Sequence, residues 1–249
     1  MIWEACNGQT QIKPLSGSLF RLVESQEQIA TLGYVDTLEE QAVLEELLEE
    51  SKPQYPQGRF AGLHYLLKTP FRYPPLEWGS RFGRRHEPSL FYGGESLVAT
   101  LAESAYCRFV FLHAIDGKPP SDRLNTEHSL FRIGYSTERG IQLQVPPFAN
   151  FSMQLTHPSD YTAPQLLGSD MRAAGVEAFQ YQSARSIESS ICGALFTPTV
   201  FTGREPDTLE RWFCELTENK VTFKSAASSQ IYQYPRTQFE VDGVFPLPA

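Results

Sequence analysis

The chain has 249 residues, a formal charge of −8 and a composition that is 41% hydrophobic and 12% aromatic. It is long enough to bury a sizeable core, and no apolar run approaches the roughly 20 residues of a membrane-spanning helix. The acidic balance gives no reason to expect broad attraction to DNA or RNA, so any anionic ligand has to be met by a local group of arginines. The first residues, Met1 to Cys6, lack a basic region followed by an apolar stretch, which predicts a cytoplasmic protein. Cys6, Cys107, Cys192 and Cys214 are widely spaced and are expected as free, mostly buried thiols. His64, His86, His113, His128 and His157 show no zinc-ligand spacing, and no metal is expected.

In chain order, Leu19, Leu22, Val23, Ile29 and Leu32 read as one face of a helix over Ser18–Leu32, with Gly33 as its stop. A second helix follows Asp36-Thr37, with a stripe of Val43, Leu44, Leu47 and Leu48 among glutamates, and ends at Lys52-Pro53. The stretch from Pro53 to Gly58 reads as a linker. Residues 1–58 are therefore expected to be an N-terminal helical extension, and 59–249 the main domain. The extension has three open roles: covering a site, mediating a homodimer, or extending the core.

A proline-rich loop, Thr69-Pro70 to Pro75, leads to Gly79-Ser80-Arg81-Phe82-Gly83-Arg84-Arg85, then to a strand at Ser89–Tyr92 ending in Gly93-Gly94. A helix starting near Glu95 or Ser96 places Leu97, Val98, Leu101, Ala102 and Ala105 on its apolar face. Glu103 lies on a small-residue face with Ser96, Ala99, Thr100 and Cys107. Downstream, strands are expected at His128–Tyr135 and Ile141–Val145 with a glycine turn between them. A helix at Gln165–Ala174 ends at Gly175, and strands follow at Val176–Ser183 and Ile191–Phe201. A helix at Asp207–Leu216 and a β-rich stretch at Gln238–Val244 complete the chain. This order predicts an α+β fold, a mixed sheet with helices packed against it.

Among these elements Arg81 lies between glycines, where backbone and ligand can approach closely, and its guanidinium suits bidentate contact with phosphate oxygens. Arg84 and Arg85 fit either such a subsite or a solvated charge run. Tyr92 precedes Gly93-Gly94, which would let a ligand come close to its ring; the alternative is an ordinary strand-end tyrosine. Glu103 is a carboxylate in an apolar stretch of helix, which costs free energy unless it is exposed, paired or used. Ser183-Ala184-Arg185 follows a strand, where hydroxyl and guanidinium groups can meet a ligand. A nucleophile elbow, a Walker loop and a dinucleotide-binding glycine fingerprint are all missing from the sequence.

Taken in order, Gly79-Ser80-Arg81-Phe82, Leu90-Phe91-Tyr92, Leu101-Ala102-Glu103 and Ser183-Ala184-Arg185 resemble the RES domain family, over about Leu63 to Phe201. Arg72-Tyr73-Pro74-Pro75 is similar to the lead-in of one branch of that family. The resemblance implies an NAD-degrading toxin of a bacterial type II toxin–antitoxin pair, with a fold similar to ADP-ribosyltransferase toxins and an Xre-like helix-turn-helix antitoxin as partner. It implies Arg81, Tyr92, Glu103 and Ser183 as active-site residues. Arg84, Arg185 and Arg72 are expected to assist in binding the substrate. NAD is expected as substrate and no separate cofactor is expected.

On that reading Arg81 grips the pyrophosphate, Tyr92 packs on the nicotinamide or its ribose, Glu103 stabilises the oxocarbenium-like charge, and Ser183 orients the substrate. Water and inorganic phosphate remain open as acceptors. Two alternatives stand beside it: an ADP-ribosyltransferase modifying a macromolecule, and a non-catalytic nucleotide-binding module. An arginine-directed transferase would place a second glutamate at the position of Leu101.

Overall fold

The computed structural model describes residues 1–25, 34–55, 60–117 and 121–248. After a short helix α1 (Ile2–Ala5), Lys13–Glu24 forms a strand, β1. The helix expected from Ser18 is thus corrected up to Glu24, and its continuation to Leu32 lies outside the described residues. The cause is burial on both sides. Leu15 and Leu19 enter one core cluster while Phe20 and Leu22 pack against another. A strand filled on both faces loses its alternation and mimics helical spacing.

Helix α2 (Leu38–Ser51) begins where expected, with Thr37 Oγ1 accepting from the Glu40 amide at 3.1 Å. Its stripe does not behave as a packing face: Val43, Leu47 and Leu48 are exposed. Next come a single-turn helix, α3 (Tyr65–Lys68), then strand β2 (Phe91–Gly94) and helix α4 (Leu97–His113). Ser96 caps α4 by accepting from the Ala99 amide at 3.1 Å. Ala99, Leu101, Ala102, Ala105, Tyr106 and Phe109 are all buried, whereas Val98, expected on the apolar face, is exposed.

Strand β3 (Arg123–Gln142) runs unbroken through the first expected strand and the expected turn and ends at Gln142, so Leu143–Val145 of the second expected strand fall in a turn instead. Gly140 lies within the ladder, opposite Lys13, and a Cβ on it would stand 2.1 Å from the Leu15 Cβ, so this glycine serves close packing and not a turn. After the short helix α5 (Ser152–Leu155), helix α6 (Thr162–Ala173) leads to β4 (Ala178–Gln182) and β5 (Ile191–Leu195). The helix expected at Asp207–Leu216 is strand β6 (Thr208–Thr217), followed by β7 (Lys220–Ser225) and β8 (Ile231–Pro235). In β6 the buried residues Trp212, Cys214 and Leu216 alternate, and ten residue pairs with β3 outweigh a helical reading of Leu209, Trp212 and Leu216. The β-rich stretch at Gln238–Val244 is instead a turn and one isolated bridge between Val241 and Val244.

The strands form one mixed sheet in the order β1-β2-β5-β4-β3-β6-β7-β8, and β1 also pairs with β3. Strands β1, β2, β5, β4 and β3 therefore make a closed circuit, from which β6 to β8 extend as an antiparallel arm. Only β3 and β4 pair in parallel among the described strands. Helix α4 packs on β3, β6 and β7 with the C-terminal Phe239 and Phe245, and α6 covers a second cluster around Phe82 and Phe179. Among the described residues no helix is long and apolar enough to cross a membrane.

Candidate functional site

The stretch around Arg81 is a tight hairpin. Ser80 and Gly83 exchange both backbone hydrogen bonds, at 2.8 and 3.3 Å, and Gly79 adopts the left-handed φ of 75° that the approach requires. At its tip Phe82 is fully buried, edge-on to Phe179 and Tyr181 with centroids 4.9 Å away in both cases. Burying such a ring stabilises the fold by about 2–3 kcal/mol, which fixes the hairpin to the sheet. Helix α6 holds it from outside, with Gln165 Nε2 donating to the carbonyls of Trp78 and Ser80 at 2.8 and 3.1 Å.

Arg81 is 8% exposed. Its Nη1 donates to the carbonyls of Leu155 and His157 at 3.2 and 2.9 Å, and its Cζ lies 4.7 Å from the centre of the Tyr161 ring. Its Nη2 is buried without a hydrogen-bond partner. One side of the guanidinium is thus committed to the protein, and the other presents a donor with nothing to satisfy it.

Tyr92, on β2, ties the hairpin to the sheet. Its hydroxyl accepts from the Phe82 amide at 3.1 Å and shares a hydrogen bond with Ser80 Oγ at 2.9 Å. Burial pushes its hydroxyl up to about 12, although Ser80, the Phe82 amide and Arg81 all favour the phenolate. The glycines beside it do not open space for a ligand. A Cβ on Gly93 would lie 2.7 Å from the Phe20 carbonyl, and one on Gly94 2.5 Å from Thr100 Oγ1, so they serve the packing of β1 and α4.

Glu103 and Ser183 meet from distant parts of the chain. Ser183 Oγ donates to Glu103 Oε1 at 2.6 Å and accepts from the amides of Arg185 and Ser186, both at 3.1 Å. Ser183, 4% exposed, therefore has its proton directed at the carboxylate. The bond from Ser183 engages one oxygen of the partly buried Glu103 carboxylate, Oε1. Tyr181 joins the two halves: it stands edge-on to Tyr92 with centroids 6.4 Å apart. Its hydroxyl is held well above its usual range by burial, with Cys192, Glu103 and Tyr92 adding to the effect and Arg81 opposing it.

Arg185 lies beside this pair with its Cζ 3.4 Å from the centre of the Tyr106 ring, one turn beyond Glu103 on α4. Its Nη2 donates to the Pro158 carbonyl at 2.6 Å and to the Tyr161 hydroxyl at 3.1 Å. The C-terminal segment braces the same helix: Tyr106 donates to the Pro246 carbonyl at 2.7 Å and stacks on Phe245.

Arg21, on β1, was not singled out by sequence reasoning. Its Nη1 donates to the Tyr92 carbonyl at 2.6 Å, its Nε is buried without a partner, and its Cζ is 5.1 Å from the Phe91 ring centre. Burial lowers its guanidinium to about 10, opposed by Cys107 and Tyr181, so it stays charged at neutral pH. The available signal was a charge inside the apolar run Leu19-Phe20-Arg21-Leu22-Val23, the argument applied to Glu103. Cys107 touches solvent, yet its thiol is pushed up to about 11, first by desolvation and then by Glu103, against Arg185 and Arg21.

Other expected residues lie elsewhere. Arg72 forms an ion pair with Glu49 at 2.7 Å, donates to the Pro53 carbonyl at 2.5 Å and covers the Tyr55 ring, so it fastens α2 and is not brought to Glu103. The Arg84 amide donates to Glu87 Oε2 at 2.9 Å and its charge acts on Asp170 of α6; Arg85 and His86 are exposed. Cys6, Cys192 and Cys214 are buried free thiols. Among the described residues no cluster of His, Cys, Asp and Glu could hold a metal ion. A cavity of about 20 Å³, room for one water, lies between Tyr181 and the Leu143–Thr156 region. A recess of about 600 Å³ on β3, β6, β7 and β8 is lined by Cys214 but by none of Arg81, Tyr92, Glu103, Ser183 and Arg185.

A mixed sheet with packed helices makes this an α+β protein, and its candidate site gathers the Ser183–Glu103 pair with Arg185 on one side and the Arg81 hairpin, tied through Tyr92 to Arg21, on the other. The RES domain family matches residues 57–214, more than half of the chain, and the chain belongs to that family. Strand β1, which carries Arg21, precedes the matched region. No curated protein matches the sequence. Among solved structures, one chain of the crystal structure of the M. tuberculosis MbcT–MbcA toxin–antitoxin complex is similar, with 10% identity and a TM-score of 0.47 over 87% of this chain and 92% of that one.

Proposed function

We propose that the protein is an NAD-degrading enzyme that breaks the bond between nicotinamide and ribose, and that it acts as the toxin of a bacterial toxin–antitoxin pair. The observation that carries the chemistry is the Ser183–Glu103 hydrogen bond of 2.6 Å, and the buried Arg81 Nη2 with no partner supports a phosphate-binding role for the neighbouring hairpin. Ser183 fixes one carboxylate oxygen, so Glu103 Oε2 is oriented for the ribose hydroxyls and the positive charge that develops on the sugar. The electron pair of the glycosidic bond leaves with the nicotinamide nitrogen, so the pyridinium departs neutral and needs no proton. The cation on C1′ is captured by the oxygen of water or inorganic phosphate, with loss of a proton.

The two phosphates of NAD suit the three guanidinium groups, which give an anion site to a chain of charge −8. Membership of the RES family supports the toxin role, and with it an Xre-like helix-turn-helix antitoxin as partner. Transfer of ADP-ribose to a macromolecule is the less favoured reading, because Leu101, where a second carboxylate would stand, is fully buried.

The test is nicotinamide release from NAD by the purified protein, with Glu103→Ala and Arg81→Ala beside the wild type. Release by the wild type alone is expected, and equal release by all three would overturn the assignment. Growth arrest on expression, relieved by a neighbouring helix-turn-helix gene, tests the toxin role.

A further inference from the structure

Arg81 and Arg185 reach the site from different elements, yet both end on one short segment. Arg81 is bonded to the carbonyls of Leu155 and His157, and Arg185 to the carbonyl of Pro158. That segment is rigid by its own bonds: the Asp160 amide donates to His157 Nδ1 at 2.9 Å, and the Thr162 amide to Asp160 Oδ1 at 2.8 Å. At its end Tyr161, itself buried, touches both cations, with its ring facing Arg81 at 4.7 Å and its hydroxyl accepting from Arg185 at 3.1 Å.

Among the described residues neither guanidinium has a carboxylate within ion-pair distance, although they are only 8% and 5% exposed. Two buried like charges repel, and carbonyls with an aromatic face offset that only in part. Arg81 Nη2 is in addition a buried donor without a hydrogen-bond partner.

We infer that Tyr161 is a positioning residue that holds Arg81 and Arg185 at a fixed separation, so that their remaining donors address a single pyrophosphate group. The inference rests on the NAD reading and adds the element that sets the geometry of its phosphate subsite. A subsite ordered before the ligand arrives avoids the ordering cost of two long side chains, which strengthens binding of the pyrophosphate without altering the bond that breaks.

The experiment compares wild type, Tyr161→Phe and Tyr161→Leu in three measurements: ADP-ribose affinity by calorimetry, kcat and KM for NAD, and kcat/KM for nicotinamide riboside, which has no pyrophosphate. Tyr161→Phe keeps the ring over Arg81 but removes the hydroxyl, with its bond to Arg185 and its contact with Tyr106, and should weaken ADP-ribose binding about tenfold and raise KM for NAD alike, with kcat within about twofold. Tyr161→Leu, which also removes the ring, should lose more. Neither should change the reaction with nicotinamide riboside. Equal ADP-ribose affinity in the three proteins, or an equal loss with nicotinamide riboside, overturns the inference. Should Tyr161→Leu not fold, Tyr161→Phe decides alone. A wild type that binds ADP-ribose but releases no nicotinamide overturns the function and leaves the inference to the binding data; a wild type that binds none overturns both.

Discussion

Ser183 donates its hydroxyl proton to Glu103 at 2.6 Å while two backbone amides hold its oxygen, so the serine is fixed as a donor and the glutamate as an acceptor. If the pair acts as a unit, Ser183→Ala should lower kcat for NAD cleavage about 10²-fold, and Glu103→Gln about 10³-fold. The double variant should be little worse than Glu103→Gln alone, because the serine acts through the carboxylate. Single-turnover kinetics on the three proteins would check this, and multiplicative losses would separate the two roles.

Arg81 is as much a structural tie as a ligand group. Replacing it with lysine leaves a cation in place but cannot bridge the Leu155 and His157 carbonyls while facing Tyr161. Arg81→Lys should cost about 2–4 kcal/mol of stability in urea unfolding as well as most of the activity.

Gly168 offers a test at a distance from the chemistry. A Cβ there would lie 1.9 Å from the Phe82 carbonyl oxygen, so Gly168→Ala must move α6 away from the Arg81 hairpin. The better helix propensity of alanine returns about 1 kcal/mol, and a net destabilisation of about 2 kcal/mol is expected. Activity measured well below the melting temperature should fall too, since the hairpin pressed by the new methyl carries Arg81.

Arg72 should behave in the opposite way. Its partners are Glu49, the Pro53 carbonyl and the Tyr55 ring, so Arg72→Ala should leave KM for NAD within about twofold. The expected change is faster limited proteolysis between α2 and Tyr55. A large rise in KM would return Arg72 to the binding site.

His128 gives the fold a dependence on pH. Burial, with Arg108 nearby, lowers its imidazole to about 4, only partly opposed by Glu24. The unfolded chain, titrating near 6.5, binds more protons than the folded one between these values, so stability falls as pH drops from about 6.5 to about 4. The effect should approach about 3 kcal/mol and flatten in His128→Gln, read from urea midpoints across that range.

The candidate site stretches stood out in the sequence because each breaks a local rule: an arginine between glycines, a carboxylate in an apolar helix, a serine at a strand end. Helix α2 with its cap and α6 with its glycine stop also follow from local periodicity. Strands β1 and β6 did not, because burial of both faces in one, and spacing that fits helix and strand alike in the other, hide the alternation of two. The ladder with β3 selects the strand in each case.

Local sequence determined which residue types stand at Arg81, Tyr92, Glu103 and Ser183. Tertiary structure decided which of them meet: it joined Ser183 to Glu103, brought Arg21 to the Tyr92 carbonyl, set Tyr161 between Arg81 and Arg185, and paired Arg72 with α2. The physical reason is that a charge is placed by whatever partners the fold brings within a few ångströms of it, and those partners lie up to 80 residues away in sequence, as Ser183 does from Glu103.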